Sequence, residues 1–381
     1  MPSGCVAAGA GAGTRSTTTR FASSWCRHHS DSAVPLGNLP VTAENPAVRF
    51  VMLIIVAAVS RASISAQVVT PVQSSLQLSA PKGLPSPVPG SDTFRPAVAG
   101  LGRTLFFDTS LSIDRKISCS SCHAPEHGFA SVEALPAGSL GRRALRNAPT
   151  LYNRAYGKAF SWDGRAKTLE EQVILPISNA NEMALPLEDA ILRLRKDESY
   201  AKKFAALFGR EATAQDLSVA LASFTRTLVH ADTVVDDFRA GQVGHLTRSE
   251  RTGMWIFESK GGCWRCHTGP NLTDEAFHNT GIGVAGGKSR PGRMAITNDP
   301  ADAGGFKTPT LRALAETAPY MHDGSLATLA EVVAFYRRGG NENPRLDRKM
   351  KPLALSDQDA LHLVAFLRAL SRRSAFSARG K

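Results

Sequence analysis

Cysteine is scarce in this chain, with six in 381 residues, and their placement excludes a disulfide-stapled scaffold. Two of them, Cys5 and Cys26, fall in an upstream segment expected to be absent from the mature protein. The other four form two close pairs. Long apolar runs are also missing. The best is Phe50 to Val59 (FVMLIIVAAV), too short to span a bilayer comfortably, so no membrane span is expected in the mature form. Convincing strand patterns are absent, which argues against a sheet-based fold. The formal charge is +12, from 45 Lys and Arg against 33 Asp and Glu. No helix-turn-helix, RNA-binding signature or zinc finger accompanies it, so nucleic acid is a poor fit. Part of the charge sits in the first fifty residues and in the tail Arg372, Arg373, Arg379 and Lys381. A solvated surface is the simpler reading of the rest, and a basic face for an acidic partner the alternative.

What is present is more specific. Cys119-Ser-Ser-Cys122-His123 and Cys263-Trp-Arg-Cys266-His267 are both C-x-x-C-H, the attachment sequence of c-type haem. Two thiols at that spacing can add to the two vinyl groups of one porphyrin, and the next residue supplies a proximal imidazole to the iron. A thioredoxin-like pair has no use for the His, and half a zinc site would want its partner motif close by. Two covalent haems follow, with His123 and His267 as iron ligands. Their propionates offset some of the positive charge.

In chain order, residues 1–66 read as a spurious extension plus a signal peptide. Arg49 precedes the apolar run, and Ser63, Ser65 and Ala66 suggest cleavage near Ala66. The true start is expected near Val48 or Met52. Export suits c-type haem, which is attached outside the cytoplasm, and a periplasmic location follows. Residues 67–92 are Pro- and Ser-rich, a linker or surface strap.

Helices are expected at Leu101–Leu111 (with its turn), Leu169–Leu175 ended by Pro176, Leu187–Phe208 and Ala214–Leu228. Further ones are expected at Leu246–Ser259, Leu326–Arg338, and from the Ser356/Asp359 cap through Leu370, while Asn271–Ala303 is a Gly-rich loop. The fold class is all-α, with two tandem cytochrome-c-type haem domains: an N-terminal one over 93–240 and a C-terminal one over 241–381 with a basic tail.

From Leu101 to Leu370 the chain resembles the bacterial di-haem cytochrome c peroxidases, and within them the MauG-like branch. The resemblance rests on both haem motifs, Arg146-Asn-Ala-Pro-Thr-Leu151, Phe160-Ser-Trp-Asp-Gly-Arg165 and Asn181-Glu-Met183. It rests also on Thr308-Pro-Thr-Leu-Arg312, Thr317-Ala-Pro-Tyr-Met-His-Asp-Gly324 and Thr328-Leu-Ala-Glu-Val-Val333. It implies a peroxide site at the haem on His123 and an electron-transfer site at the haem on His267, with a calcium ion between the domains.

Residue by residue, the resemblance makes Glu182 the catalytic carboxylate, with Gln172 and Pro176 lining its pocket and Met183 near the haem. Alone, Glu182 would read as an ordinary surface residue. Trp162 matches the Trp between the haems, and a packed core Trp is the plainer reading. Asn147, Thr317 and Pro319 match the calcium position. The loop His that caps the first haem in many family members is replaced by Ser139, so that iron is expected to be open, unless His127 reaches it. Tyr336 stands where a Met would bind the second haem, as in the MauG branch; a core Tyr, with Met321 or Met350 as ligand, is the alternative. His322 and Asp323 read as supporting residues around the haems.

One departure limits the resemblance. The surface Trp that the MauG branch carries two residues before its second motif is Gly261 here, and Trp264 lies inside the motif. The leading expectation is a peroxidase that reduces hydrogen peroxide to water through ferryl haem, fed by a small cytochrome c or another periplasmic donor. A MauG-like oxidase acting on a partner protein or small molecule is the second reading, and a non-catalytic electron carrier the third. A homodimer is compatible with all three.

Overall fold

A computed structural model describes residues 78–374. The expected signal peptide and the end of the tail lie outside the described residues. Among the described residues nine helices of six or more residues carry the fold: α1 Pro96–Phe107, α2 Leu169–Ser178, α3 Leu187–Lys196, α4 Glu198–Phe208, α5 Ala214–Thr227, α6 Val234–Arg239, α7 Arg248–Glu258, α8 Leu329–Arg337 and α9 Asp357–Ala369. Regular strand among the described residues amounts to one antiparallel pair, β1 Phe277–His278 and β2 Phe306–Lys307. The fold is therefore mostly helical with a minimal sheet, where none was expected. This pair sits inside and beside the segment expected to be Gly-rich loop, which also holds a helical turn at Met294–Thr297.

Local chemistry explains where the helices start. Thr168, Thr247, Thr328 and Ser356 each form a capping box with an acidic residue three positions on, which satisfies two orphan donors at once. Two expectations are corrected. Leu187–Phe208 is broken at Asp197, whose carboxylate accepts from Ser199 N and Tyr200 N and starts α4; a short acidic side chain competes here for backbone donors. Pro176 does not end α2, which continues to Ser178. A proline near a helix end forfeits one backbone bond but can be tolerated when the last turn is packed, and Ile177 beside it is fully buried.

Burial is concentrated in two apolar clusters. One gathers Leu101, Leu105 and Phe106 of α1 with Leu217, Leu221 and Phe224 of α5. The other gathers Ile256 and Phe257 of α7 with Leu363, Phe366 and Leu367 of α9, and takes in Val234 and Val235. In both, the helix leading to a haem motif crosses a later helix at a glycine. A Cβ on Gly102 would run into the backbone oxygen of Ala220, and one on Gly253 into that of His362. Close helix approach, and with it dense packing, depends on these two residues.

The two halves repeat each other in detail. Phe160 bridges Ala166, and Tyr320 bridges Leu326. Ser161 and Met321 both have positive φ, and the following helices α2 and α8 are capped alike by Thr168 and Thr328. All these pairs stand at one constant offset in sequence. The same offset pairs Trp162 with His322 and Pro176 with Tyr336.

The strap at 78–92 is laced to the middle of the chain. Asp232 N donates to Lys82 O at 3.0 Å, Lys82 pairs with Asp237, and Arg312 Nη2 reaches Gly83 O at 3.0 Å. The C-terminal end meets the same place: Val234 N donates to Arg372 O at 3.0 Å and Ser374 N to Asp232 O at 2.8 Å. Arg312, almost fully buried, pairs there with Asp236 (Nη2–Oδ1 2.8 Å).

Candidate active site

The first motif forms a single helical turn, Cys119–Cys122, capped by Ser118. His123 N closes it on Cys119 O at 2.9 Å. His123 Nδ1 lies 3.1 Å from Phe129 O, a carbonyl aimed by the positive φ of Phe129. An Nδ1–H donated to that carbonyl leaves Nε2 as the basic nitrogen, and burial holds the imidazole neutral by lowering its pKa. The second motif repeats this. His267 Nδ1 lies 3.2 Å from the carbonyl of Leu272, again at positive φ, and burial lowers its pKa to about 4.

Each motif opens onto its own cavity. The first, of about 250 Å³, is lined by Cys119, Cys122, His123, Asn147, Trp162, Gln172, Pro176, Glu182 and Met183. The second, of about 210 Å³, is lined by Cys263, Cys266, His267, Trp162, Met321, His322, Tyr336 and Met350. Burial pushes the thiols of Cys119 and Cys263 up to about 12, the reverse of what a dithiol redox pair needs. Paired cysteines, a neutral imidazole with a free Nε2 and a mainly apolar wall fit a covalently attached haem in each cavity.

The residues expected around the first haem come together. Glu182 is half-buried, and its Oε1 accepts from Asn179 Nδ2 at 2.7 Å. Burial raises its pKa, against smaller lowering effects from Arg165 and Asn179. Gln172 Oε1 accepts from Ser161 Oγ at 2.6 Å. Ser139 is turned into the protein: its hydroxyl donates to Asp114 at 3.0 Å and its N–H to Glu182 O at 2.7 Å. His127 is exposed on a separate turn.

Trp162 lines both cavities. Its Nε1–H donates to Asn147 O at 2.7 Å, and its ring centre lies 6.4 Å from that of His322. His322 in turn stacks on Phe306 at 3.6 Å. Tyr336, Met321 and Met350 all reach the second cavity, so the structure brings in every ligand candidate for that haem. The calcium residues are less united. Asn147 Nδ2 donates to Glu133 O and Ala134 O at 3.1 and 3.3 Å, while Thr317 Oγ1 donates to Leu314 O at 3.1 Å.

Comparison with known proteins agrees with this geometry. A family profile for di-haem cytochrome c peroxidase matches residues 96–244. The methylamine utilization protein MauG of Methylorubrum extorquens is 36% identical over 291 residues, 76% of this chain and 82% of that protein. The chain belongs to the di-haem cytochrome c peroxidase family. The cytochrome c551 peroxidase of Nitrosomonas europaea is 35% identical over 277 residues, 72% of this chain and 80% of that one. Among solved structures, a MauG-like protein associated with microbial copper homeostasis superposes with a TM-score of 0.72 at 31% identity, over 78% of this chain and 96% of that one. As a member of the di-haem cytochrome c peroxidase family the protein is a di-haem oxidoreductase, and membership implies c-type haem, peroxide and a redox partner.

Some polar groups near the site were not picked out from sequence. His278 bridges two carboxylates, Asp274 Oδ2 at 2.9 Å from Nε2 and Asp347 Oδ2 at 2.5 Å from Nδ1. Cys266, Asp274 and His278 come within metal-binding distance of one another. Both ring nitrogens of His278 are taken, however, and Cys266 belongs to the haem motif. Arg154, Glu275 and Lys307 form a buried ionic cluster between the cavities. The FHN stretch after the second motif holds His278, but its partner Asp347 lies far along the chain.

Proposed function

We propose that the protein is an exported, periplasmic di-haem peroxidase of the MauG-like branch, with Glu182 as its proton-transfer residue. The observation that carries this reading is a half-buried carboxylate in the same cavity as Cys119, Cys122 and His123. Haem c, held by those residues and by Cys263, Cys266 and His267, supplies the redox-active iron and the electron path.

The side chains handle protons and position. Burial makes Glu182 a stronger base than a surface carboxylate. Asn179 holds Oε1, so Oε2 is the atom that takes the proton from the near oxygen of hydrogen peroxide and returns it to the far oxygen, which leaves as water. Gln172, fixed by Ser161, keeps its amide N–H groups for the bound peroxide. Ser139, held inward by Asp114, would offer no ligand to a haem carried by His123. Two electrons and two protons from outside complete the reduction to two waters. Trp162 is the aromatic step between the haem-carrying halves, 93–240 and 241–381. Asn147, with the carbonyls of Thr317 and Pro319, is the proposed calcium seat.

Replacing Glu182 by Gln tests the reading. It removes the proton acceptor at nearly constant shape, and peroxide turnover is expected to fall roughly 10²–10⁴-fold with both haem spectra retained. Unchanged turnover would place the base elsewhere. A second reading, oxidation of a partner protein or small molecule, is favoured by Tyr336 in the second cavity, since an anionic oxygen ligand stabilises oxidised iron.

A further inference from the structure

Arg154, Glu275 and Lys307 are buried together, each 8% exposed. Arg154 grips Glu275 with both Nη atoms, at 3.0 and 3.2 Å. Lys307 Nζ lies 3.5 Å from Glu275 Oε1, and the Lys158 N–H donates to Oε2 at 3.2 Å. One carboxylate thus serves two cations. Asp274, the other acid whose charge acts on Lys307, is engaged by His278. Among the described residues no second carboxylate forms an ion pair with Arg154 or Lys307.

Such a cluster holds one positive charge too many. Burying an unpaired charge is costly, and the strain shows in Lys307, whose pKa is lowered to about 7 by burial and by Arg154. The position of the excess is informative. Arg154 lines the first cavity and Lys307 the second, with β2 pinned beside them through Lys307 N and Trp162 O at 2.8 Å. Both cations therefore border a cavity in which a further anion can sit. A carboxylate carried by the occupant of each cavity would balance that charge.

We propose that Arg154 and Lys307, joined by Glu275, form a shared carboxylate seat that takes a haem propionate from each cavity and couples the two haems electrostatically. The inference rests on each cavity holding a haem c. Lys307 and Arg154 act here as positioning and charge-balancing residues and take no part in peroxide chemistry. Because the cluster is common to both cavities, a change of charge at one haem is felt at the other.

Two measurements decide it. A crystal structure of the wild-type holoprotein is expected to show a propionate oxygen within hydrogen-bond distance of Lys307 Nζ and another within that distance of the Arg154 guanidinium; a propionate on one cation alone would overturn the shared seat. Propionates turned to solvent, with water alone on both cations, would overturn the proposal. Spectroelectrochemical titration of Lys307→Met and Lys307→Arg supplies the energetic test, with haem counted in the same samples. Loss of the buried cation should move the haem on His267 roughly tenfold toward its ferric form, about 59 mV for one electron. The haem on His123 should move less in the same direction, and Lys307→Arg should restore both. If both haems are retained and neither potential moves in Lys307→Met, the proposal fails. Should Lys307→Met not accumulate, the wild-type crystal structure decides alone. Potentials are read without turnover, so loss of the peroxidase reading would leave this result standing. A count of one haem in the wild type would remove the basis of both.

Discussion

Pro176 and Tyr336 occupy the same place in the two halves of the molecule. Each lies the same distance along its helix from a capping threonine, Thr168 or Thr328, and each lines the cavity of its own haem motif. Proline offers iron no donor atom, whereas a phenol offers an oxygen. The repeat therefore sets unlike groups at like positions: the first cavity has no donor atom there, and the second has a phenol oxygen.

Tyr336 gives the prediction that separates the two functional readings. Burial raises its pKa above that of free phenol, so a phenolate forms there only against a compensating cation such as ferric iron. Tyr336→Met should replace an anionic ligand by a thioether, raise the potential of the second haem and convert its ferric spectrum to a His/Met type. A potential and spectrum that do not respond would leave Tyr336 a core residue and give the ligand role to Met321 or Met350.

The pH profile of peroxide turnover should carry the mark of Glu182. A base must be deprotonated to accept a proton. Its raised pKa means that activity is lost as pH falls through a value above that of an ordinary Glu. In Glu182→Gln this acid limb should disappear from the residual rate, which isolates the titrating group.

Haem content follows from the two motifs. Pyridine haemochrome analysis should find two haems per chain, resistant to extraction by acid acetone. Replacing Cys263 and Cys266 together by Ala should leave one. A single haem in the wild type would contradict the assignment of the second cavity.

Helix crossing supplies a stability prediction. Gly253→Ala places a methyl group against His362 O and Phe366, and overpacking of this kind costs roughly 1–3 kcal/mol, partly offset by the better helix propensity of Ala. Thermal unfolding of the holoprotein should report the loss, and Gly102→Ala should behave alike against Ala220 O. Neutral substitutions at both sites would show that the helix pairs can separate without cost.

Much of this was legible in the sequence because it is local. A C-x-x-C-H pentapeptide brings its own chemistry, and Ser356 with Asp359 announces a helix start within four residues, whereas the Thr328 cap was passed over and that helix was expected from Leu326. Asp197 was misread because its capping role interrupts an otherwise continuous apolar period. Gly102, Gly253 and the Arg154–Glu275–Lys307 cluster were missed for another reason. Gly102, Gly253 and Arg154 owe their significance to partners more than a hundred residues away, and no local pattern marks a residue for a contact of that range. Trp162 and Glu182 stand between these cases, since the resemblance located them and the cavities give them a physical setting.

The lacing at 232–237 bears on how the chain comes together. This segment receives Lys82 from one end of the described chain, with Gly83 packed against Asp236, and Arg372 and Ser374 from the other. Pairings so distant in sequence form late, because loop closure has to precede the contact. During synthesis Lys82 is available long before Ser374, so the knot at Asp232 cannot close until residue 374 has been made. The segment is thus tied from both sides, and Arg372 and Ser374 complete the tie.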